Sequence, residues 1–136
     1  MDANQAEELD RLVQVKVDKD RGFAEITFEG GITRKHLDHS FSLLINDPDF
    51  KKNMNALYDY SRAYSDLEMP EIEEHAQFVV EHLNLRGTNY KLALVASDTL
   101  NIALLEVYKL LISKTSVEAE VFHNIAAARR WLMEKH

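Results

Sequence analysis

Histidine is the residue type in this sequence best suited to metal binding or acid–base chemistry. His36 and His39 are three residues apart, so on a helix they would share one face and offer two ligands to a zinc-like ion. The neighbouring sequence indicates no third ligand, so we predict no metal site and two solvent-facing imidazoles. His75 and His82 flank an apolar helix face and are expected at its boundary; the alternative is that they line a pocket or a protein interface.

A second group of residues, candidates for ligand binding, lies at or just after the ends of predicted strands of a parallel sheet. In open α/β sheets, ligands collect beyond the carboxyl ends of the strands. Tyrosine rings there supply stacking, an arginine supplies an anion contact, and helix N-termini add backbone donors. The predicted ligand-binding residues are Tyr58, Tyr60, Arg62, Tyr64, Ser97, Asp98 and His123.

Signatures of catalysis are absent from the sequence. It has no cysteine, no Gly-x-Ser-x-Gly nucleophile motif, and no glycine-rich loop of a phosphate-binding pattern. We therefore predict no catalytic residue, no metal and no cofactor, and a binding or regulatory module rather than an enzyme. A small-ligand or lipid carrier and a small enzyme with an unrecognised site are the alternatives.

The elements that would position these residues follow from hydrophobic periodicity. The predicted strands are residues 12–18, 23–29, 55–60, 90–96 and 117–122. The predicted helices begin after Thr33, near Pro70, after Ser97 or Asp98, and after Asn124. Gly30 and Gly31 are expected to end the second strand, and residues 61–66 to form a loop. The order ββαβαβαβα predicts one α/β domain with a mixed, mostly parallel sheet.

Length and composition limit the classes of partner and the cellular compartment that we expect. The chain has 136 residues, a length typical of one domain. We place that domain at residues 12–136, after an acidic arm at residues 1–11. Its net charge of -7 argues against nucleic-acid binding. Apolar stretches such as residues 102–105 are far too short to cross a bilayer, which predicts no integral membrane association. We expect a cytoplasmic protein.

The helix that begins near Asp98 is apolar nearly all round, which is typical of a helix covered on two sides. Its expected inward stripe is Leu100, Leu104, Val107, Tyr108 and Leu111. Ile102, Leu105 and Ile112 fall on the other side, and Phe78 with Leu85 forms a second candidate patch. These residues predict the interface of a homodimer.

Three stretches resemble a known family. They are residues 30–33 before the first helix, residues 57–60 at a strand end, and residues 120–124 leading into residues 127–132. With the element order, they resemble the STAS superfamily of anti-sigma-factor antagonists, and more closely the uncharacterised SpoIIAA-like proteins, which are related to the Sec14 lipid-carrier fold. The resemblance implies a regulatory protein partner or a carried ligand.

The regulatory site of that superfamily is a phosphorylatable serine in an Asp-Ser-Ser-like turn that opens a helix. The equivalent stretch here, residues 59–66, lacks that turn and is longer. Ser61 and Ser65 are the candidate phosphorylation sites. Acidic residues crowd the segment that follows, so we expect no efficient phosphorylation switch.

Overall fold

The computed structural model describes residues 12–65 and 67–134. The predicted acidic arm at residues 1–11 lies outside the described residues. The strands are β1 Val13–Asp18, β2 Phe23–Ile32, β3 Asn55–Ser65, β4 Lys91–Val95 and β5 Glu118–Phe122. The helices are α1 Arg34–Ile45, α2 Met69–Glu81, α3 Leu83–Arg86, α4 Thr99–Leu111 and α5 Ile125–Met133.

The strands lie side by side in chain order, β1-β2-β3-β4-β5. A tight turn joins β1 and β2 as an antiparallel hairpin; it closes at Asp18 and Phe23 and uses Gly22 at a φ of 78°. The pairs β2–β3, β3–β4 and β4–β5 are all parallel. Right-handed crossovers that always step in one direction place their helices on one face of the sheet. Accordingly α1, α2 and α4 cover that face, and α5 covers part of the other.

Apolar residues fill both layers. The larger core lies between the sheet and helices α1, α2 and α4, and it includes Ile26, Phe28, Leu44 and Leu94. The smaller core joins Phe23, Leu57, Val95 and Leu132 under α5. Strand β4 is buried along its whole length, as its apolar run predicts.

The element order is confirmed, but two strands are longer than predicted. Gly30 and Gly31 do not end β2, because it continues to Ile32, and the predicted loop after Tyr60 is strand as far as Ser65. The two extensions pair with each other, Gly30 with Ala63 and Ile32 with Ser65. Neither extension has a strong strand signal in its own sequence. The pairing between the two extensions therefore determines that both are strands.

Helix α4 is rotated relative to the prediction. Leu105 and Ile112 are buried, with 8% and 2% of their surface exposed, whereas Leu100 and Leu110 are 60% and 70% exposed. The prediction that Leu105 and Ile112 form an exposed interface is therefore wrong. An evenly apolar helix does not encode which side is buried. The polar residue Asn101 marks that side, because its buried amide donates to the Ala63 carbonyl at 3.1 Å.

The other residues of the predicted interface differ in exposure. Ile102 is half-buried against the larger core, and Phe78 is half-buried beside the Phe41 and His82 rings. Leu85 is 49% exposed. Among the described helices, none is both long and apolar enough to cross a membrane.

Candidate functional site

A β-bulge in β3 decides which predicted ligand residues lie together. Thr27 pairs with Asp59, and Glu29 pairs with Arg62, so β3 carries one extra residue between these pairs. Tyr58, before the bulge, and Tyr60, at its start, face helices α1, α2 and α4. Past the bulge the alternation is shifted, and Arg62 lies exposed in an ion pair with Glu29.

Tyr58 and Tyr60 line a cavity between the sheet and helices α1, α2 and α4, with a volume of about 50 Å³. Two further tyrosines line it, Tyr90 before β4 and Tyr108 from α4, so we call it the tyrosine cavity. Its other polar lining residues are Ser65, His75, Arg86 and Asn101. The cavity therefore runs between the layers instead of lying beyond the carboxyl ends of the strands.

Arg86 is the cation of the tyrosine cavity. Its side chain is 2% exposed, and its guanidinium carbon lies 3.6 Å from the centre of the Tyr90 ring. Neither Nη1 nor Nη2 has a hydrogen-bond partner among the described residues. An arginine keeps its charge in proteins, and a buried charge normally has a partner of opposite sign. Arg86 is thus a buried cation with unused donors at a cavity wall.

A fixed turn holds Arg86 inside the protein. Helix α3 ends at Arg86, and Gly87 follows at a φ of 114°, a backbone conformation that favours glycine. The Asn53 backbone N–H donates to the Arg86 carbonyl at 3.0 Å. The Asn53 side-chain oxygen accepts from the backbone N–H groups of Thr88 and Asn89 at 2.9 and 3.0 Å. The turn is therefore tied to the loop before β3.

Tyr90 stacks on the cation, but none of the four cavity tyrosines neutralises it. Burial raises the pKa of Tyr58, Tyr60 and Tyr108, and it raises the pKa of Tyr90 to about 12. Burial also lowers the pKa of Arg86, an effect that the Tyr90, Tyr58 and Tyr108 phenols oppose. These phenols are neutral at physiological pH, so they supply no negative charge to Arg86.

A second polar group at the cavity is the pair of His75 and Asp38. His75 is 6% exposed, and its Nδ1 lies 2.8 Å from Asp38 Oδ1. Its ring stacks with the Tyr108 ring at 5.7 Å and with the Phe78 ring at 6.1 Å. The Arg34 Nε lies 3.3 Å from the other oxygen of Asp38. His75 therefore lies inside the fold and lines a cavity, the alternative that the sequence left open, and not at the boundary position expected first.

The remaining predicted ligand residues lie outside the tyrosine cavity. Tyr64 is 65% exposed and covers Gly31. Ser97 is exposed, with its hydroxyl 3.5 Å from the Ser61 carbonyl. Asp98 caps α4 by accepting from the Asn101 N–H at 3.0 Å, and His123 is exposed after β5. Of the seven predicted residues, the cavity contains Tyr58 and Tyr60.

The predicted phosphorylation sites lie on strand β3. Ser61 is exposed, and its N–H donates to Asp59 Oδ1 at 2.9 Å. Ser65 is half-buried, and its hydroxyl oxygen accepts from the Leu67 N–H at 3.0 Å. Neither serine opens a helix, unlike the regulatory serine of the antagonists.

The histidines of α1 do not both face water. His36 is buried, and its Nδ1 accepts from the Thr33 N–H at 2.8 Å, which closes the N-terminus of the helix. His39 is half-buried. No cluster of three or more His, Asp or Glu side chains suited to a metal ion occurs within residues 12–65 and 67–134.

Sequence reasoning missed Arg86, Tyr90 and Asn101 as site residues. An arginine at a helix end, directly before a glycine, is typical of an exposed position. The signal for its burial is the distant Asn53, which a reading of local periodicity does not connect to it. Tyr108 was predicted to face inward, and it does so. The prediction treated it as a core residue and gave it no role at a ligand site.

A second depression lies near the opposite end of the sheet and has a volume of about 240 Å³. It is lined by Lys19, Lys51 and Lys52, all exposed, and Lys19 is already paired with Asp49 at 3.0 Å. It contains no buried unpaired group among the described residues. The tyrosine cavity is therefore the stronger candidate site.

Comparison with solved structures finds the crystal structure of an uncharacterised protein of the DUF3478 family, with a SpoIIAA-like fold, from Shewanella loihica PV-4. The match has a TM-score of 0.58 at 16% sequence identity, and it covers 88% of this chain and 91% of that chain. The fold of this chain is SpoIIAA-like, which confirms the predicted resemblance. Neither the scan against family models nor the search of curated proteins gives a match.

Proposed function

We propose that this protein is a non-enzymatic binding module that holds a small organic anion in the tyrosine cavity, with Arg86 as its charged contact. The observation that carries the proposal is the buried guanidinium whose Nη1 and Nη2 have no hydrogen-bond partner in the part of the chain that the structure describes. Leaving such a group unpaired costs several kcal/mol, and an oxyanion that accepts from both nitrogens removes that cost.

The size of the cavity favours a small ligand. A volume of about 50 Å³ is far below the ~300 Å³ at which pockets for larger organic ligands begin. A lipid tail of the Sec14 type would require a cavity several times larger. A carboxylate with a short apolar body fits better, because the anion meets Arg86 and the body meets Leu92, Leu94 and Leu105.

The proposal is tested by thermal unfolding of the full chain with acetate, propionate and lactate at constant ionic strength. A ligand that binds the native state stabilises it by about 2.7 kcal/mol at a hundredfold excess over its Kd, a shift of roughly 10 °C in Tm. We expect a saturable rise in Tm for the natural sequence and none for Arg86→Met.

Two further variants complete the test. Arg62→Met, which removes an exposed arginine paired with Glu29, is the matched control and should respond like the natural sequence. Arg86→Lys keeps the charge without the two-pronged donor geometry and should bind at least tenfold more weakly. An equal response of Arg86→Met, or no response of the natural sequence to any of the anions, overturns the proposal.

A further inference from the structure

We infer that the ligand of the tyrosine cavity also carries an O–H group, and that His75 accepts a hydrogen bond from it. This inference rests on the proposed function, because it assigns the second polar contact of the same ligand. The ligand class is a small oxyanion with one O–H, of which short 2-hydroxy acids are the simplest organic members.

The protonation of His75 follows from its neighbour. A carboxylate accepts hydrogen bonds and does not donate them, so the 2.8 Å contact between Asp38 Oδ1 and His75 Nδ1 places a proton on Nδ1. In the neutral imidazole, Nε2 then carries the lone pair and acts as an acceptor. Asp38 thus sets the polarity of the nitrogen that remains for a ligand.

The orientation of the ring is fixed as well. The Tyr108 and Phe78 rings both pack against His75, at interplanar angles of 24° and 20°. The Arg34 Nε lies 3.3 Å from the second oxygen of Asp38, and Arg34 Nη1 bonds to Glu74 at 2.6 Å. A ring packed against two aromatic side chains and hydrogen-bonded at one edge presents its acceptor at a defined position, which favours selective recognition.

The two polar contacts lie at one small cavity. His75 and Arg86 both line a volume of about 50 Å³. Tyr108 lines the same volume, and its ring stacks on His75. A ligand of a few non-hydrogen atoms therefore meets both, with a negative oxygen at the guanidinium and a donor at the imidazole.

The experiment compares matched anions by isothermal titration calorimetry at about pH 8, where a free imidazole is neutral. Lactate and propionate differ by one hydroxyl, and hydrogen carbonate and nitrate are compact planar anions with and without an O–H. We expect the natural sequence to bind lactate at least tenfold more tightly than propionate. The protein could instead prefer hydrogen carbonate over nitrate and show no preference for lactate over propionate. That result would identify an inorganic oxyanion with an O–H as the ligand, and it would overturn the assignment of an organic hydroxy acid.

Three variants test which residues produce the preference for lactate over propionate. His75→Phe should bind both acids with equal affinity, within about threefold of the propionate affinity of the natural sequence. Asp38→Asn should lower the preference without removing the ring, because an amide can donate to Nδ1 and leave the proton on Nε2. His123→Gln, at an exposed histidine, is the control and should keep the preference.

The outcomes separate the two proposals. Propionate and lactate that bind equally well through Arg86 contradict the hydroxyl contact and leave the anion site standing. A preference for lactate that survives in both His75→Phe and Asp38→Asn also contradicts the inference. If neither acid binds, the anion site and the hydroxyl contact are both wrong.

Discussion

Arg86 is held in a buried position, where an unpaired charge raises the free energy of the folded state. Stacking on Tyr90 at 3.6 Å recovers about 2 kcal/mol, the upper range for a desolvated cation over an aromatic ring. The unmade hydrogen bonds of a buried charged group cost more than that. Among the described residues of the cavity wall, no carboxylate bonds to Arg86. A residue that destabilises the empty fold but fits an anion is typical of a binding site.

This balance predicts that Arg86→Met stabilises the protein in the absence of ligand. Methionine fills similar space without a charge, so we expect the free energy of unfolding to rise by about 1–3 kcal/mol. Urea unfolding measures the change, and Arg62→Met should stay within about 0.5 kcal/mol of the natural sequence. A loss of stability in Arg86→Met would show that the guanidinium is satisfied in the empty protein.

The buried tyrosines predict a loss of stability at alkaline pH. The pKa of Tyr90 is raised to about 12, whereas an exposed phenol in the unfolded chain titrates near 10. Between these values the folded state binds more protons than the unfolded state, so stability falls as pH rises through this window. Below pH 10 the contribution of Tyr90 is fully present.

For Tyr90 alone, a difference of about two pKa units corresponds to roughly 3 kcal/mol. Denaturant unfolding at several pH values between about 9 and 12, with tyrosinate absorbance recorded in parallel, measures this loss. Tyr90→Phe, which cannot ionise, should show a shallower decline. The same slope in both proteins would contradict the assignment.

At the scale of elements, the site depends on two backbone features that pull distant segments together. Tyr58 and Tyr60 face the cavity by ordinary strand alternation, and the bulge that follows turns Arg62 away from it. The turn at Gly87 directs Arg86 inward and is tied to Asn53. Strand and helix periodicity predicted the elements, but neither feature has a local signature, because each is set by pairing with another segment.

Gly87→Ala is expected to be costly. A side chain at Gly87 would have a positive φ of 114° and would collide with the backbone and side chain of Asn53. We expect a loss of more than about 2 kcal/mol in the free energy of unfolding, with weaker anion binding because Arg86 is displaced.

The matched control for this variant is Gly22→Ala. Gly22 has a φ of 78° but nothing within 4 Å of an added Cβ, so it should cost only about 1 kcal/mol and leave anion binding unchanged. Equal losses in the two variants would show that the contact with Asn53 is unimportant.

At the scale of the whole molecule, α4 is the element whose orientation the sequence leaves open. Its inner side closes the tyrosine cavity through Asn101, Leu105 and Tyr108, and its outer side exposes Leu100 and Leu110. The element order and the parallel sheet follow from sequence patterns and the short connections. The buried side of α4 follows from the contact of Asn101 with Ala63, which is visible only in three dimensions.

Charged substitutions on α4 distinguish its two sides. Leu105→Lys places a charge in the core and should lower the free energy of unfolding by more than about 3 kcal/mol. Leu110→Lys, on a residue that is 70% exposed, should change it by less than about 0.5 kcal/mol. Urea unfolding checks both values, and the opposite order of stability would contradict the observed orientation.

Self-association stays a prediction, and it now concerns other residues than those first expected. If two chains meet through α4, Leu100 and Leu110 form the contact, since Leu105 and Ile112 are covered within one chain. Light scattering of the natural sequence and of the folded Leu110→Lys variant measures this directly. A monomer in both cases would exclude α4 as an interface.

The most direct test of the central claim is a crystal structure of the protein grown with lactate at neutral pH. The anion site predicts a bound oxyanion with oxygens about 3 Å from Nη1 and Nη2 of Arg86, and the guanidinium still stacked on Tyr90. The hydroxyl of the ligand should face His75. A guanidinium that is turned into solvent or bonded to a protein carboxylate, with no anion in the tyrosine cavity, would contradict the account.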